Sequence, residues 1–254
     1  GAGLGSVEEC RARSNDAGVA LLEMHDLRVA LAAEGSAAEG ELAGAVAALR
    51  GDGLITAAQE RLIVPTQVDA SGGGRTVLVP GRLVGVPLAG EGSGIDARFV
   101  QRGRDLAPPD AGRPVAVVDG HFAEYHSLPV PGRVRIAGGG TLRIVGQVLQ
   151  PEQFLVTRAG TVGAESGYAV LHTSLQTAQA LGARPGRVNE LVLTLAAGAE
   201  PAVAEDRVRR ALAAGLPGVG VTITRRADED AHRVLYEDAR SDQRLVDVFA
   251  WLLL

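Results

Sequence analysis

The sequence predicts an α+β fold, with a strand–helix–strand unit at each end of the chain and a β-rich segment inserted between them. At both ends, apolar residues alternate as in a half-buried strand, then recur at helical spacing, then alternate again. The middle is richer in Gly and Pro and contains a hairpin pattern. Because each terminal unit must cover a sheet face, we expect the two units to pair into one α/β sandwich carrying both chain ends.

The N-terminal unit begins with an alternating strand at residues 26–31. Ser36 offers an N-cap for the following helix, and Glu39 stands three residues later, as in a capping box. Apolar residues then recur at helical spacing until two glycines end the helix. Two strands are predicted to follow this helix, at residues 61–68 and 76–87.

The middle segment is predicted to contain a buried strand at Val115–Val118 and a short helix from His121 to Leu128. A hairpin pairs Arg133–Ile136 with Thr141–Val148 across three consecutive glycines. A second short helix, Ser174–Leu181, is predicted to stop at Gly182.

The C-terminal unit consists of a strand at Glu190–Leu195, a helix at Pro201–Ala214 and a strand at Val219–Thr224. Proline in the first turn is typical of a helix start. From Ala227 onward the pattern is again helical, with apolar residues on a common stripe.

The last residues, Asp242–Leu254, form a charged amphipathic pattern that becomes wholly apolar at Phe249. Six apolar residues are too few for a bilayer crossing, which needs about 20. Charges followed by an aromatic residue and leucines are nevertheless the flank expected of a membrane helix. The alternative is a C-terminal helix that packs Phe249, Trp251 and its leucines on the core.

Composition excludes several classes of protein. All 25 basic residues are Arg, so Schiff-base chemistry and a P-loop, which require Lys, are excluded. A net charge of −5 without a basic stripe gives no support for nucleic-acid binding. The single cysteine, Cys10, cannot form an internal disulfide, and the sequence shows no signal peptide.

The best candidate for metal chemistry is the stretch from His121 to His126. His121 and Glu124 are three residues apart and share a helical face, which suits a metal, but His126 points off that face. The pattern is not His-Glu-x-x-His. We therefore expect a polar surface helix, and the alternative of a hydrolase or metalloenzyme centred there has little support. His25, His172 and His232 are isolated in sequence and are expected to be surface or capping residues.

The remaining patterns predict no catalytic, cofactor-binding or metal-binding residue. A Gly-x-Ser-x-Gly elbow is missing, Gly92–Gly94 reads as a flexible turn, and Gly1–Gly5 lacks the full dinucleotide-binding pattern. Acidic residues 228–230 suit the start of the last helix, where its dipole favours negative charge. Arg225 and Arg226 are expected to pair locally. A solvent-facing helix surface, with partner docking as the alternative, is predicted for Arg207, Arg209 and Arg210.

Several stretches, in this order and spacing, resemble the extracytoplasmic domain of FtsX-like, MacB-type ABC transporter permeases. They are Arg82–Pro87, Val100–Leu106, Val115–Ala123, Leu142–Val148 and the closing stretch Asp242–Leu254. One departure is Pro131-Gly132-Arg133, which stands where such domains commonly have Gly-Asp before a strand.

The resemblance implies a "porter" lobe built from the two terminal units and a β-rich "sabre" lobe inserted between them. On this basis we assign residues 21–88 and 187–240 to the porter-like lobe and residues 89–186 to the sabre-like lobe. Residues 1–20 would connect from a first membrane helix, and residues 241–254 would lead into a second.

The resemblance further implies a non-enzymatic domain outside the membrane that couples cytoplasmic ATP hydrolysis to movement there. Its implied partner is a cytoplasmic ABC ATPase, reached through the membrane helices, and its substrate or partner outside would be a protein, lipid or peptide. No cofactor and no nucleic acid are expected. The isolated domain is expected to be a monomer, since membrane helices and ATPases would normally set its assembly. The alternative is a soluble two-lobed module that binds a ligand or partner between its lobes.

Overall fold

The structure is a computed structural model that describes residues 24–32, 35–69, 71, 78–90, 94–150 and 167–229. Several predictions concern residues outside these ranges. They are the connector 1–20 with its stretch Gly1–Gly5, the first two residues of the turn Gly92–Gly94, His232, and the terminal helix 241–254.

The described residues form twelve strands and four α-helices. The strands are β1 (Leu27–Leu31), β2 (Ala37–Ala38), β3 (Ile55–Asp69), β4 (Leu78–Val86), β5 (Phe99–Gly103), β6 (Val115–Asp119), β7 (Gly132–Ile136), β8 (Thr141–Leu149), β9 (Ala169–Ser174), β10 (Arg187–Val188), β11 (Glu190–Leu195) and β12 (Val221–Arg225). The helices are α1 (Glu41–Gly51), α2 (Gly120–Tyr125), α3 (Leu175–Leu181) and α4 (Pro201–Gly215). Short 3₁₀ turns at Pro108–Asp110, Ala137–Gly139 and Arg226–Asp228 complete the elements.

The two terminal units interleave in one antiparallel layer with the strand order β12–β1–β11–β3. Helices α1 and α4 bury Val46 and Val208 in one core with Leu27 and Leu191 of the strands. A strand order that alternates between the two units covers one sheet face with both helices. The predicted α+β class and the pairing of the two terminal units are therefore confirmed.

Six strands, one of them β3 of the first layer, form a closed ring, while β2 and β10 pair in a separate two-stranded sheet. Strand β3 pairs with β4, which pairs in parallel with β9, and β9 pairs with β6. Strand β6 pairs in parallel with β8, β8 pairs with β7, and β7 returns to β3. The ring interior is aliphatic, with Leu83, Ile144 and Leu171 completely buried. Strand β5 pairs with β8 beside β7.

The hairpin predicted in the middle segment is present as β7 and β8, which pair from Gly132↔Ile144 to Arg135↔Thr141. At the departure from the resembling family, the Val130–Pro131 peptide bond is cis and β7 begins at Gly132.

Strand β3 belongs to both layers because it is fifteen residues long. Its first half, up to Arg61, pairs with β11, and its second half, from Leu62, pairs with β4. One continuous backbone therefore joins the α/β layer to the ring. The lobe boundaries at residues 88/89 and 186/187 stay predictions.

The predicted capping box at the start of α1 is wrong. The N-cap is Gly40, in the left-handed region at φ 93°, and no N-cap side chain bonds the first turn. Glu60 of β3 accepts hydrogen bonds from the backbone N–H of Gly40 (2.6 Å) and of Ala43 (2.9 Å) instead. The Ser36 hydroxyl accepts from Arg187 Nε. A carboxylate from the sheet thus replaces the local cap, and it also suits the positive end of the helix dipole.

Candidate functional site

Six ionisable side chains meet where the two ends of the described chain reach the sheet. We call them the ionic cluster, and its members are His25, Arg28, Arg61, Asp96, Glu190 and Glu229. All except Arg28 are buried, and the guanidinium of Arg61 is only 1 % exposed. Buried charges are tolerated only when they are paired and hydrogen-bonded, so the arrangement must be matched closely.

The strands place His25 and Glu229 together. His25 stands two residues before β1, and Glu229 follows the 3₁₀ turn after β12. Strands β1 and β12 pair antiparallel, with Leu27 opposite Arg225, so the incoming and outgoing segments lie side by side. Imidazole Nε2 of His25 lies 2.8 Å from Glu229 Oε1, across a separation of 204 residues in sequence.

Asp96 connects this pair to the segment that leads into β5. Its carboxylate accepts from the backbone N–H of His25 (2.9 Å) and lies 2.8 Å from His25 Nδ1. Asp96 adopts a left-handed backbone conformation, φ 56°, which Asp tolerates better than most residues. Its backbone carbonyl accepts from Gln150 Nε2 at 2.7 Å, just after β8 ends. Both the start and the end of the β5–β8 segment are therefore fixed at the cluster.

Arg61 ties the cluster to the sheet. It stands opposite Glu190 in the β3–β11 pairing, and its Nε and Nη2 atoms both lie 2.8 Å from Glu190 Oε2. Its Nη1 donates to Asp96 Oδ2 at 3.0 Å. Arg28 of β1 completes the set, with Nε 3.1 Å from Glu229 Oε1.

Both ring nitrogens of His25 face a carboxyl group. When both of these groups are ionised they can only accept hydrogen bonds, so both nitrogens must donate. His25 is then an imidazolium. In that state, two guanidinium groups and one imidazolium balance the three carboxylates of the cluster.

Solved structures with similar folds include two bacterial domains. The periplasmic region of MacB from Actinobacillus actinomycetemcomitans matches with a TM-score of 0.56 at 10 % sequence identity, covering 92 % of this chain and 98 % of that one. This chain has the fold of the MacB periplasmic region. The extracellular domain of the noncanonic ABC-type transporter YknZ from Gram-positive bacteria matches with a TM-score of 0.51 at 12 % identity, covering 79 % and 98 %.

The resemblance drawn from the sequence is thus confirmed at the level of fold. No protein-family model and no curated protein sequence matches the chain. Within the described residues, none of the helices combines the length and the apolar character that a bilayer crossing requires.

The prediction that His25 and His172 are surface or capping residues is wrong, since both are completely buried in this MacB-like fold. His172 lies in the middle of β9, where the ring strands β4 and β6 flank it. Local sequence carries no signal for His25, because its partners Asp96 and Glu229 lie 71 and 204 residues away.

The predicted metal candidates lie on and beside α2. Nδ1 of His121 is 3.9 Å from Asp119 Oδ1, whereas His126 caps the helix and its ring lies 4.5 Å from that of Phe122. Asp119 itself caps the helix start by accepting from Phe122 N–H. In the part of the chain that the structure describes, His, Cys, Asp and Glu side chains form no group of three or more suited to a metal ion.

The arginines of α4 are paired at the surface. Arg207 contacts Asp52, Arg209 contacts Glu205 and Arg210 contacts Asp206. Hydrogen bonds from Arg209 and then from Arg225 hold the pKa of Glu205 below its ordinary value. Arg226 lies 3.1 Å from Asp26, so both arginines that precede the acidic run pair with carboxylates of other elements.

A polar pocket of ≈ 480 Å³ lies between β5, α2 and β8. Its lining combines both signs of charge with amide and apolar groups. The lining residues are Gln101, Arg102, Ala123, Glu124, Ser127, Leu128, Pro129 and Gln147.

Proposed function

We propose that the chain is the extracytoplasmic domain of an ABC transporter permease of the FtsX-like, MacB-like kind. In this role it transmits an ATPase-driven conformational change to a substrate or partner outside the membrane. The domain performs no chemistry itself, and its energy comes from a cytoplasmic ABC ATPase acting through membrane helices. The proposal is supported by the two structures of similar fold, which are the periplasmic region of MacB and the extracellular domain of an ABC-type transporter.

The observation that carries the proposal is the position of the ionic cluster. In a domain inserted between membrane helices, force arrives through the incoming and outgoing segments. Here these two segments are joined by the His25–Glu229 contact. Asp96 and Arg61 connect that contact onward to the β5–β8 segment and to the sheet.

Separating the buried ion pairs of the cluster is costly, so the connection between the two segments resists deformation. Removing one partner of a buried ion pair costs about 3–5 kcal/mol, because the remaining charge is left uncompensated. A displacement of either chain end is therefore passed to the sheet and the ring as a rigid-body movement rather than absorbed locally. Strand β3, which pairs in both layers, carries the same movement from one to the other.

The first test is the gene that encodes this chain. It should contain an apolar segment of about 20 residues on each side of the domain. A gene without such segments contradicts the proposal.

The second test follows movement directly. Val203 on α4 is 54 % exposed. In a variant whose own cysteine is removed by Cys10→Ser, Val203 can be replaced by a cysteine that carries a label. Energy transfer from this label to an acceptor on lipid headgroups is measured in nanodiscs holding the permease and its ATPase. We expect the efficiency to change when ATP is added, and to stay constant with an ATPase that cannot bind ATP. An efficiency that is equal in all nucleotide states contradicts the proposal.

A second candidate function is a soluble module that binds a small ligand, and the polar pocket favours it. Its ≈ 480 Å³ falls within the range of about 300–1,000 Å³ typical of ligand sites. Native mass spectrometry of the purified protein would reveal a co-purified ligand. Loss of that ligand from an Arg102→Ala variant, with no change in a control variant at the exposed Leu78, which does not line the pocket, would support this function.

A further inference from the structure

His25, just before β1, contacts the segment that follows β12 through Glu229. His25 is completely buried, and its two ring nitrogens each lie 2.8 Å from a carboxylate, Nδ1 from Asp96 and Nε2 from Glu229. Both contacts are favourable hydrogen bonds only while both nitrogens carry hydrogen. Imidazole is also the side chain whose ordinary titration falls between about pH 5 and 8.

Every charged group that the described part of the chain presents to this imidazole belongs to the ionic cluster. Asp96 comes from the segment before β5, Glu229 from the segment after β12, and Arg28, Arg61 and Glu190 from strands β1, β3 and β11. With His25 protonated, the charges of these six side chains cancel. When the proton leaves, the six carry one net negative charge, and one nitrogen lone pair faces a carboxylate oxygen.

The two carboxylates are not held equally. Asp96 also accepts from the backbone N–H of His25 and from Arg61, and Gln150 fixes its backbone. Glu229 is held on the same oxygen by Arg28, a quarter exposed, and its backbone N–H donates at 3.2 Å to Arg226. Neutral His25 therefore keeps its hydrogen on Nδ1 and its bond to Asp96, and the repulsion falls on Glu229.

We propose that His25 is a proton-operated latch: its protonated form fastens the outgoing segment at Glu229, and loss of the proton releases that segment while the His25–Asp96 bond remains. The stability that the latch contributes is present at low pH and is lost as pH rises through the titration of His25. The effect of the latch on force transmission depends on the proposed function. A domain outside the membrane experiences external pH, so the latch would make force transmission through its outgoing segment stronger in acid.

The test uses the 254-residue chain without membrane or ATPase. Long-range ¹H–¹⁵N spectra of the histidine ring report the proton count and tautomer of His25 between pH 5 and 8.5. Hydrogen exchange over residues 225–229, corrected for intrinsic rates, reports release. We expect an imidazolium at low pH, the Nδ1–H tautomer at high pH, and exchange at least about tenfold faster after the transition, as expected for loss of a charged hydrogen bond.

Two variants make the result specific. Glu229→Gln offers a carbonyl to the protonated ring and an N–H donor to the neutral ring, so exchange at residues 225–229 should become independent of pH. His172→Gln alters another completely buried histidine, in β9, and should leave the pH response of residues 225–229 unchanged.

The proposal is overturned if His25 keeps one charge state across the range, if the neutral ring carries its hydrogen on Nε2, or if Glu229→Gln retains the full response. These outcomes are separate from the proposed function. A chain whose exchange ignores pH can still respond to ATP in nanodiscs, and a working latch without any response to ATP would contradict the transporter role alone.

Discussion

Arg61 and Glu190 face each other across strands β3 and β11, and the guanidinium also reaches Asp96 at 3.0 Å, so one buried cation binds carboxylates from two distant parts of the chain. This arrangement leads to the first prediction. Arg61→Met keeps the length of the apolar stem but removes the cation that two buried carboxylates share.

We expect Arg61→Met to lower the free energy of unfolding by about 3–5 kcal/mol, measured by urea denaturation. The same substitution at Arg210, whose side chain is 72 % exposed beside Asp206, is the control and should change it by less than about 0.5 kcal/mol. Equal losses in the two variants would mean that burial does not set the strength of the Arg61 pairs.

The second prediction concerns the start of α1. Glu60 bonds two N–H groups of the first turn, so Glu60→Ala should lower the free energy of unfolding by about 1–2 kcal/mol, as the loss of a helix cap does. Ser36→Ala is the matched control, since the Ser36 hydroxyl bonds Arg187 rather than the helix. A larger loss of unfolding free energy from Ser36→Ala than from Glu60→Ala would support the capping box that the local sequence predicts.

Local patterns were sufficient wherever neighbours in sequence determine the structure. Helix α4 begins at Pro201 and α3 is capped by Gly182, both as predicted. The β7–β8 hairpin follows from alternation on either side of its glycines. These features depend on backbone restrictions and short-range pairing, which the sequence carries directly.

Long-range contacts explain what local patterns missed. Strand β3 was predicted to begin at residue 61 but begins at Ile55. Gln59 and Glu60 in this added part of the strand are polar, yet both are buried. Glu60 is buried because it caps α1, and local sequence patterns do not predict this contact between a strand and a helix. The ring closes through pairing of β3 with β7, and the ionic cluster joins residues up to 204 apart, so neither leaves a periodic signal.

The third prediction concerns Gly85, which lies in a stretch that carried the family resemblance. A Cβ at this position would lie 2.4 Å from Ala178 Cβ of α3. Gly85→Ala should therefore lower the free energy of unfolding by about 1–3 kcal/mol through overpacking.

Two further variants check the cause. The matched control is Gly44→Ala in α1, where a Cβ would meet no atom within 4 Å. It should raise the free energy of unfolding by up to about 1 kcal/mol because Ala favours the helix. Adding Ala178→Gly to Gly85→Ala should restore part of the loss, and a double variant as unstable as the sum of the singles would argue against a direct clash.

The fourth prediction is that the 254-residue chain is monomeric or weakly associating at micromolar concentration. No heptad seam appears in the sequence outside the last helix, and in the proposed function assembly is set by membrane helices and ATPases. Sedimentation velocity at several concentrations measures this. A tight dimer that persists when residues 249–254 are removed would contradict it.

The last prediction concerns pH and the pair formed by Arg104 and Asp110. Arg104 donates from Nη1 and Nη2 to the two carboxylate oxygens, at 2.6 and 2.9 Å. This hydrogen bonding by Arg104 holds the pKa of Asp110 below its ordinary value of 3.8. A carboxyl whose pKa is lower in the folded state contributes stability above its unfolded pKa, and that stability is lost as pH falls through the folded value.

Asp110→Asn should therefore destabilise the protein at pH 6 and do so less at pH 2.5, because the carboxyl of the unfolded wild-type chain is protonated below its ordinary pKa of 3.8. Urea denaturation at both values gives the difference in the free energy of unfolding. Asp206→Asn, in an exposed pair with Arg210, serves as the control and should have little effect at either pH. If Asp110→Asn lowers the free energy of unfolding equally at pH 6 and pH 2.5, the charge on Asp110 contributes nothing to stability. The loss would then come from a poor steric fit of the Asn side chain.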